Sequence, residues 1–229
     1  MKFKEAHKKL KTICCFKGEA SEETCSYLFC DLHDKEYLGD HKGNHVCIAC
    51  TLDDSVCKLD RFLTEATDLE NAEDSNVDYL FTNYILLLYL TVEKLHTVFK
   101  TIGISYDFVE ENWPVLIEIR KWANFIKHPK GFLFTHHPTY YFEYEELLEK
   151  DKFQILDYDF VKKFYYREDE RKFKQTIIEV ANKTNIAVQL PDPERMTTEF
   201  IKACEAFCEK IKLNEHFKSI LKNKVIIDE

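Results

Sequence analysis

Residues 78 to 100, DYLFTNYILLLYLTVEKLHTVFK, constrain the fold more than any other stretch. Leu80, Tyr84, Leu87, Leu88, Thr91, Leu95, Val98 and Phe99 recur at helical spacing, and apolar residues cover much of the remaining circumference. A helix that apolar belongs at the centre of a bundle, with other helices around it. Its longest uninterrupted apolar run, Tyr84 to Leu90, is far below the roughly 20 residues that span a bilayer, so no membrane partner is expected. Gly103 predicts its C-terminal stop.

The rest of the chain agrees with a helical class. Only 5 Gly and 5 Pro occur in 229 residues, and the glycines stand singly at 18, 39, 43, 103 and 131. Turn-rich sandwiches and glycine-cradled nucleotide sites are therefore disfavoured. Within the acidic run from Asp53 to Asp78, Val56, Leu59, Phe62, Leu63 and Ala66 predict an amphipathic helix with a solvated acidic face that runs into a loop near Asp74 to Asn76. Asn112 and Pro114 predict the start of a further helix reaching Lys127, with Val115, Ile119, Trp122, Ala123 and Ile126 turned inward. Pro129 places His128 in its last turn or just beyond. From 131 to 166 aromatics dominate and helical period fades, and the runs Thr139 to Tyr144 and Lys152 to Leu156 suggest a small hairpin or irregular insertion. Helix returns near 170 to 183, breaks at the extended AVQLPDP run and resumes from Glu194 to about Leu221. Cys204 and Cys208 share a stripe with Phe200, Phe207 and Ile211, which marks them as core.

The expected fold is mainly α, a bundle of roughly five to seven helices with a small β-hairpin or irregular aromatic insertion. Residues 1 to 57 form a Cys/His-rich N-terminal elaboration, holding seven of the 9 Cys, and residues 58 to 229 form the bundle.

Charge narrows the function. Asp+Glu 41 against Lys+Arg 32 gives a net charge of -9, which disfavours non-specific coating of nucleic acid or anionic membrane. The N-terminal stretch has no long apolar core of a secretory signal, so a cytoplasmic location is expected, where cysteines serve as thiols or metal ligands rather than disulfides.

One local basic cluster stands out. In IRKWANFIKHPKGF, Arg120, Asn124 and His128 lie four apart and share a helix face, with Lys121, Lys127 and Lys130 nearby as substrate-binding cations. A cation, a carboxamide and an imidazole together suit a phosphodiester. Arg120 would hold a phosphate oxygen, Asn124 orient it and His128 exchange the proton of the 2′-hydroxyl or leaving group, with no metal required. The competing reading is a solvated basic face that complements the helix dipole.

This arrangement, a long apolar helix, a short link and a helix ending in Asn-x3-His before Pro, resembles the HEPN superfamily. The resemblance covers residues 55 to about 130. It implies a four-to-five-helix bundle of the kind found in prokaryotic toxins, antiviral defence proteins and RNA-guided ribonucleases. It also implies metal-independent RNA cleavage by an R-x4-6-H motif, often R-N-x3-H, in a site composed across a homodimer. Asn124 and His128 match the N-x3-H part, but Ala123 stands where the Arg is expected, and Arg120 lies one turn upstream. The departure leaves two options: Arg120 or Lys127 substitutes, or this is a non-cleaving relative. RNA, or a protein partner in a defence or toxin system, is the binding partner this implies.

Residues 25 to 57 hold a second cluster. CIAC, Cys47 and Cys50, has the two-residue spacing that lets two thiolates meet one tetrahedral Zn²⁺. A second pair drawn from Cys30, His33, His41 or His45 would close a structural zinc site, with Cys30 and His33 as the leading pair. Packed thiols are the alternative, since Ile48 and Ala49 continue an apolar run. Of His136 and His137, one would approach His128 as a second acid/base, or both are plain loop histidines. The aromatics from Phe132 to Tyr144 either stack unpaired bases or fill a small core. The rival to an RNA enzyme is a non-catalytic helical interaction module, with the acidic 53 to 78 face as its contact surface or the zinc-stabilised region as its recognition surface.

Overall fold

The computed structural model describes residues 3–10, 17–18, 28–29, 45–46, 48–69, 77–127, 139–141, 153–164, 185–217 and 226–227. Its helices are α1 (Phe3–Leu10), α2 (Ile48–Leu69), α3 (Val77–Ile102), α4 (Tyr106–Asn112), α5 (Pro114–Lys127), α6 (Tyr158–Phe164) and α7 (Pro193–Lys212). The strands are β1 (Lys17–Gly18), β2 (Leu28–Phe29), β3 (His45–Val46), β4 (Thr139–Tyr141), β5 (Phe153–Leu156), β6 (Asn185–Gln189) and β7 (Ile226–Ile227). The fold is mainly α. No helix among the described residues is long and apolar enough to cross a membrane.

α3 lies in the middle, packed against α2 and α5, as its all-round apolar character demands. Leu80, Phe81, Tyr84, Ile85, Leu88, Val92, Leu95, Val98 and Phe99 are all buried. The helix ends in a Schellman motif. Gly103 takes φ 81°, a left-handed conformation open to glycine, and the Ile104 N–H reaches back to the Phe99 carbonyl at 2.8 Å.

The sequence read the next segment as a short link followed by a helix capped by Asn112. Instead residues 106–112 form α4, capped by Ser105, whose Oγ accepts the Phe108 N–H at 3.2 Å. Asn112 closes that helix: its Nδ2 donates to the Phe108 carbonyl one turn back. Trp113 separates α4 from α5, and Pro114 opens α5 where no N–H is needed.

α1 packs on α7 and α2, burying Phe3, Ala6 and Leu10 in the common core. His7 Nε2 lies 3.0 Å from Asp60 Oδ1 of α2. α2 itself starts at Ile48, so the compositional boundary at residue 57 falls inside one continuous helix.

The aromatic segment differs from the expected hairpin. The extended runs are strands, but β4 and β5 do not pair with each other: both run parallel to β6 and flank it, in the order β4-β6-β5. β6 and the residue after it carry Ile186, Ala187, Val188 and Leu190, all buried. An apolar run of that kind fits the centre of a parallel sheet, whereas a hairpin partner with one wet face would alternate. β5 leads directly into α6, and β6 leads into α7. Asp157 caps α6 by accepting the Phe160 N–H at 2.9 Å, and Asp192 caps α7 by accepting the Glu194 N–H at 3.0 Å. Cys204 and Cys208 are buried on α7, and burial pushes the Cys204 thiol pKa up, so they act as core residues.

Candidate functional site

α5 buries most of its surface. After its first residue, the positions left partly open are Arg120, Asn124, Ile126 and Lys127. Arg120, Asn124 and Lys127 are spaced by four and three residues, so they form one strip along the helix. Lys127 is the last described residue of the strip. His128 and Lys130, the other sequence-derived members of the group, lie outside the described residues.

Lys121 does not join the strip, because it is buried at 8% exposure. Ala123 is wholly buried, next to Trp122 in the bundle core. A cation at position 123 would therefore point into hydrocarbon, and among the described residues the partly open guanidinium of this helix stands elsewhere. Arg120 supplies it, one turn back on the Asn124 side.

Arg120 is not a free cation. Its Nε lies 2.7 Å from Glu93 Oε1 of α3, an ion pair that is close in distance but not aligned as a hydrogen bond. Lys127 extends over the ring of Tyr89, with Nζ 3.5 Å from the centroid. Both cations of the strip thus face α3.

α3 also brings an imidazole to this face. His96 stacks on Tyr106 of α4, with ring centroids 6.3 Å apart and planes 19° apart, and meets Phe99 edge-on. Burial, reinforced by the Arg120 charge, lowers its pKa to about 4, so the ring is neutral at physiological pH. Its Nε2 has no hydrogen-bond partner among the described residues. Sequence reasoning missed His96, because its only local signal is a Glu93 one turn away, while the meeting with Arg120 depends on how α3 packs on α5.

A second missed feature lies on the other side of α5. A cleft of about 360 Å³ opens where β5 and β6 end and α6 and α7 begin. Its walls include Glu118 and Trp122 of α5, Asp157, Tyr158 and Asp159 around the start of α6, Gln189 at the end of β6, and Asp192 and Arg195 of the α7 entry. Arg195 forks onto Glu118, and also meets Glu199 at 2.9 Å. Burial pulls the Arg195 pKa down, but the Glu118 and Glu199 contacts outweigh it and hold the guanidinium firmly charged. Beneath the cleft, Tyr84 Oη donates to the Pro193 carbonyl at 3.0 Å and lies 2.7 Å from Thr197 Oγ1, locking α3 to the first turn of α7.

The zinc ligands proposed from sequence, Cys30, His33 and Cys47, lie outside the described residues, and Cys50 falls in the first turn of α2. Among the described residues no group of three or more His, Cys, Asp or Glu side chains is placed to hold a metal. Comparison with protein-family models, with curated proteins and with solved structures gave no match.

Proposed function

We propose that this chain is a HEPN-like cytoplasmic protein that binds RNA through the Arg120, Asn124 and Lys127 strip of α5 or cleaves it there without metal. Arg120 holds a phosphate oxygen, Asn124 orients the phosphate and His128 moves the proton. In this chemistry the 2′-oxygen attacks phosphorus and the P–O5′ bond breaks. The 2′-hydroxyl proton is taken up and one is returned to O5′, leaving a 2′,3′-cyclic phosphate and a 5′-hydroxyl.

The observation that supports this reading most is that the polar members of α5 which remain partly open line up on one side, while the opposite side is core. Helical RNA enzymes of this kind act in prokaryotic defence and toxin systems, and a homodimer would complete the site. Incubating the full chain with single-stranded RNA in EDTA tests the proposal. Cleavage that persists at full rate in His128→Ala, or the absence of both binding and cleavage, overturns it.

A second reading is favoured by one observation. Glu93 sits on Arg120, and the position where the family motif carries its arginine is the buried Ala123. Both features suit a non-catalytic interaction module in which the helix end contacts a protein partner. Stoichiometric capture of one partner protein, with blank RNA assays, would decide for it.

A further inference from the structure

We infer that Glu93 of α3 is an internal competitor for phosphate at the α5 strip, a residue that sets how tightly and how salt-sensitively the strip takes single-stranded RNA. The inference rests on the RNA reading of that strip and deepens it.

Two strips meet here. Tyr89, Glu93 and His96 recur on α3 at spacings of four and three residues, so they share one side of that helix. Lys127 of α5 lies over the Tyr89 ring, and Arg120 lies against Glu93. The two cations therefore have unlike partners. An aromatic face attracts Lys127 and leaves its charge in place, whereas the Glu93 carboxylate offsets the charge of Arg120. His96 adds no positive charge, being neutral at physiological pH. Arg120 is also the one guanidinium on α5, so whatever neutralises it governs the phosphate affinity of the strip.

The form of the ion pair separates competition from scaffolding. Arg195 and Glu118, which tie α7 to α5, make two aligned hydrogen bonds, and the Glu118 side chain is only 9% exposed. Arg120 Nε and Glu93 Oε1 are 2.7 Å apart with no aligned hydrogen bond, and the side chains are 32% and 37% exposed. An aligned and buried fork holds helices together. A misaligned pair half in water contributes little to stability and exchanges one anion for another readily. A phosphate oxygen is such an anion, and guanidinium matches it as well as it matches a carboxylate. Each phosphate that reaches Arg120 thus meets a carboxylate supplied by the chain itself, which it must displace or bind beside.

Fluorescence anisotropy of the full chain with 2′-O-methyl single-stranded RNA tests this, because that RNA lacks the attacking hydroxyl and is not consumed. Glu93→Gln should bind about three- to tenfold tighter than the parent, and the slope of log affinity against log salt should steepen by up to about 0.7. In an Arg120→Ala background the same substitution should gain less than about twofold, since the competitor acts through that guanidinium. Should Glu93→Gln melt below the assay temperature, Glu93→Ala should show the same gain. A parent that binds RNA beside a folded Glu93 variant that binds no tighter, or an equal gain with and without Arg120, overturns this inference alone. No RNA binding by the parent or by either Glu93 variant overturns the RNA reading and this inference with it.

Discussion

Arg195 holds Glu118 through both terminal nitrogens, Nη1 at 3.1 Å from Oε2 and Nη2 at 2.7 Å from Oε1, and so ties α7 to α5 across 77 residues of sequence. The Glu118 side chain is only 9% exposed, whereas that of Arg195 is 41% exposed. The geometry is the bidentate fork that guanidinium and carboxylate planes favour. The asymmetry in exposure decides what breaking the pair does.

Removing the arginine strands a buried carboxylate. Arg195→Ala should therefore destabilise the fold by about 2 to 3 kcal/mol, below the full cost of a completely buried pair because the arginine is half in water. Glu118→Gln, which keeps the shape and removes the charge, should cost less. The double variant should lose less than the sum of the two, leaving a coupling of about 1 to 2 kcal/mol. Urea unfolding of the four species measures it, and strict additivity would show that the contact contributes nothing.

Much of the helical framework was legible in the sequence, and much of what surrounds the sites was not. The α3 stripe, the Gly103 stop, the inward turn of Trp122 and Ala123, and the core placement of Cys204 and Cys208 all follow from period and local chemistry. Strand pairing did not follow. Nothing within residues 139 to 156 says that β4 and β5 will each seek a strand that begins at Asn185, since the two runs are locally compatible with a hairpin. The Glu118 to Arg195 fork and the approach of His96 to Arg120 were hidden for the same reason. Each joins residues whose own neighbourhoods carry no trace of the other.

His96 gives the fold a pH dependence. Its pKa in the folded protein is about 4, below the ordinary value of 6.5. Between those values the unfolded chain takes up a proton that the folded chain refuses, so stability is lost as pH falls from about 6.5 towards 4. The ring is partly exposed and the Glu93 carboxylate lies one turn away on its own helix, so the loss should be about 1 to 2 kcal/mol rather than the full value of the shift. His96→Gln should flatten that part of the curve. Equal slopes for the two proteins in thermal melts between pH 7 and 4 would refute the assignment.

Gly103 is held by backbone conformation and not by space. A Cβ at this position would touch nothing within 4 Å, yet φ is +81°. Gly103→Ala should cost about 1 kcal/mol through left-handed strain alone. Gly103→Asn, which tolerates that region better, should recover part of the loss. If alanine and asparagine melt together with the parent protein, the Schellman stop is not contributing to stability.

The register of the α5 motif can be tested by building the family pattern outright. Ala123→Arg creates R-N-x3-H in sequence, but position 123 has no exposed surface and packs beside Trp122. A guanidinium there must either be buried without a partner or push the helix off its neighbours, so a loss of about 3 kcal/mol or more is expected, with no gain in RNA cleavage. Arg120→Ala tests the alternative cation. It removes a half-exposed ion pair with Glu93, which should change stability by less than about 1 kcal/mol. If Arg120 contacts a phosphate of single-stranded RNA, affinity should fall about tenfold, and the slope of log affinity against log salt should shrink by about 0.7. A stable Ala123→Arg protein with raised cleavage, beside an Arg120→Ala protein that binds RNA like its parent, would move the phosphate contact from Arg120 to position 123.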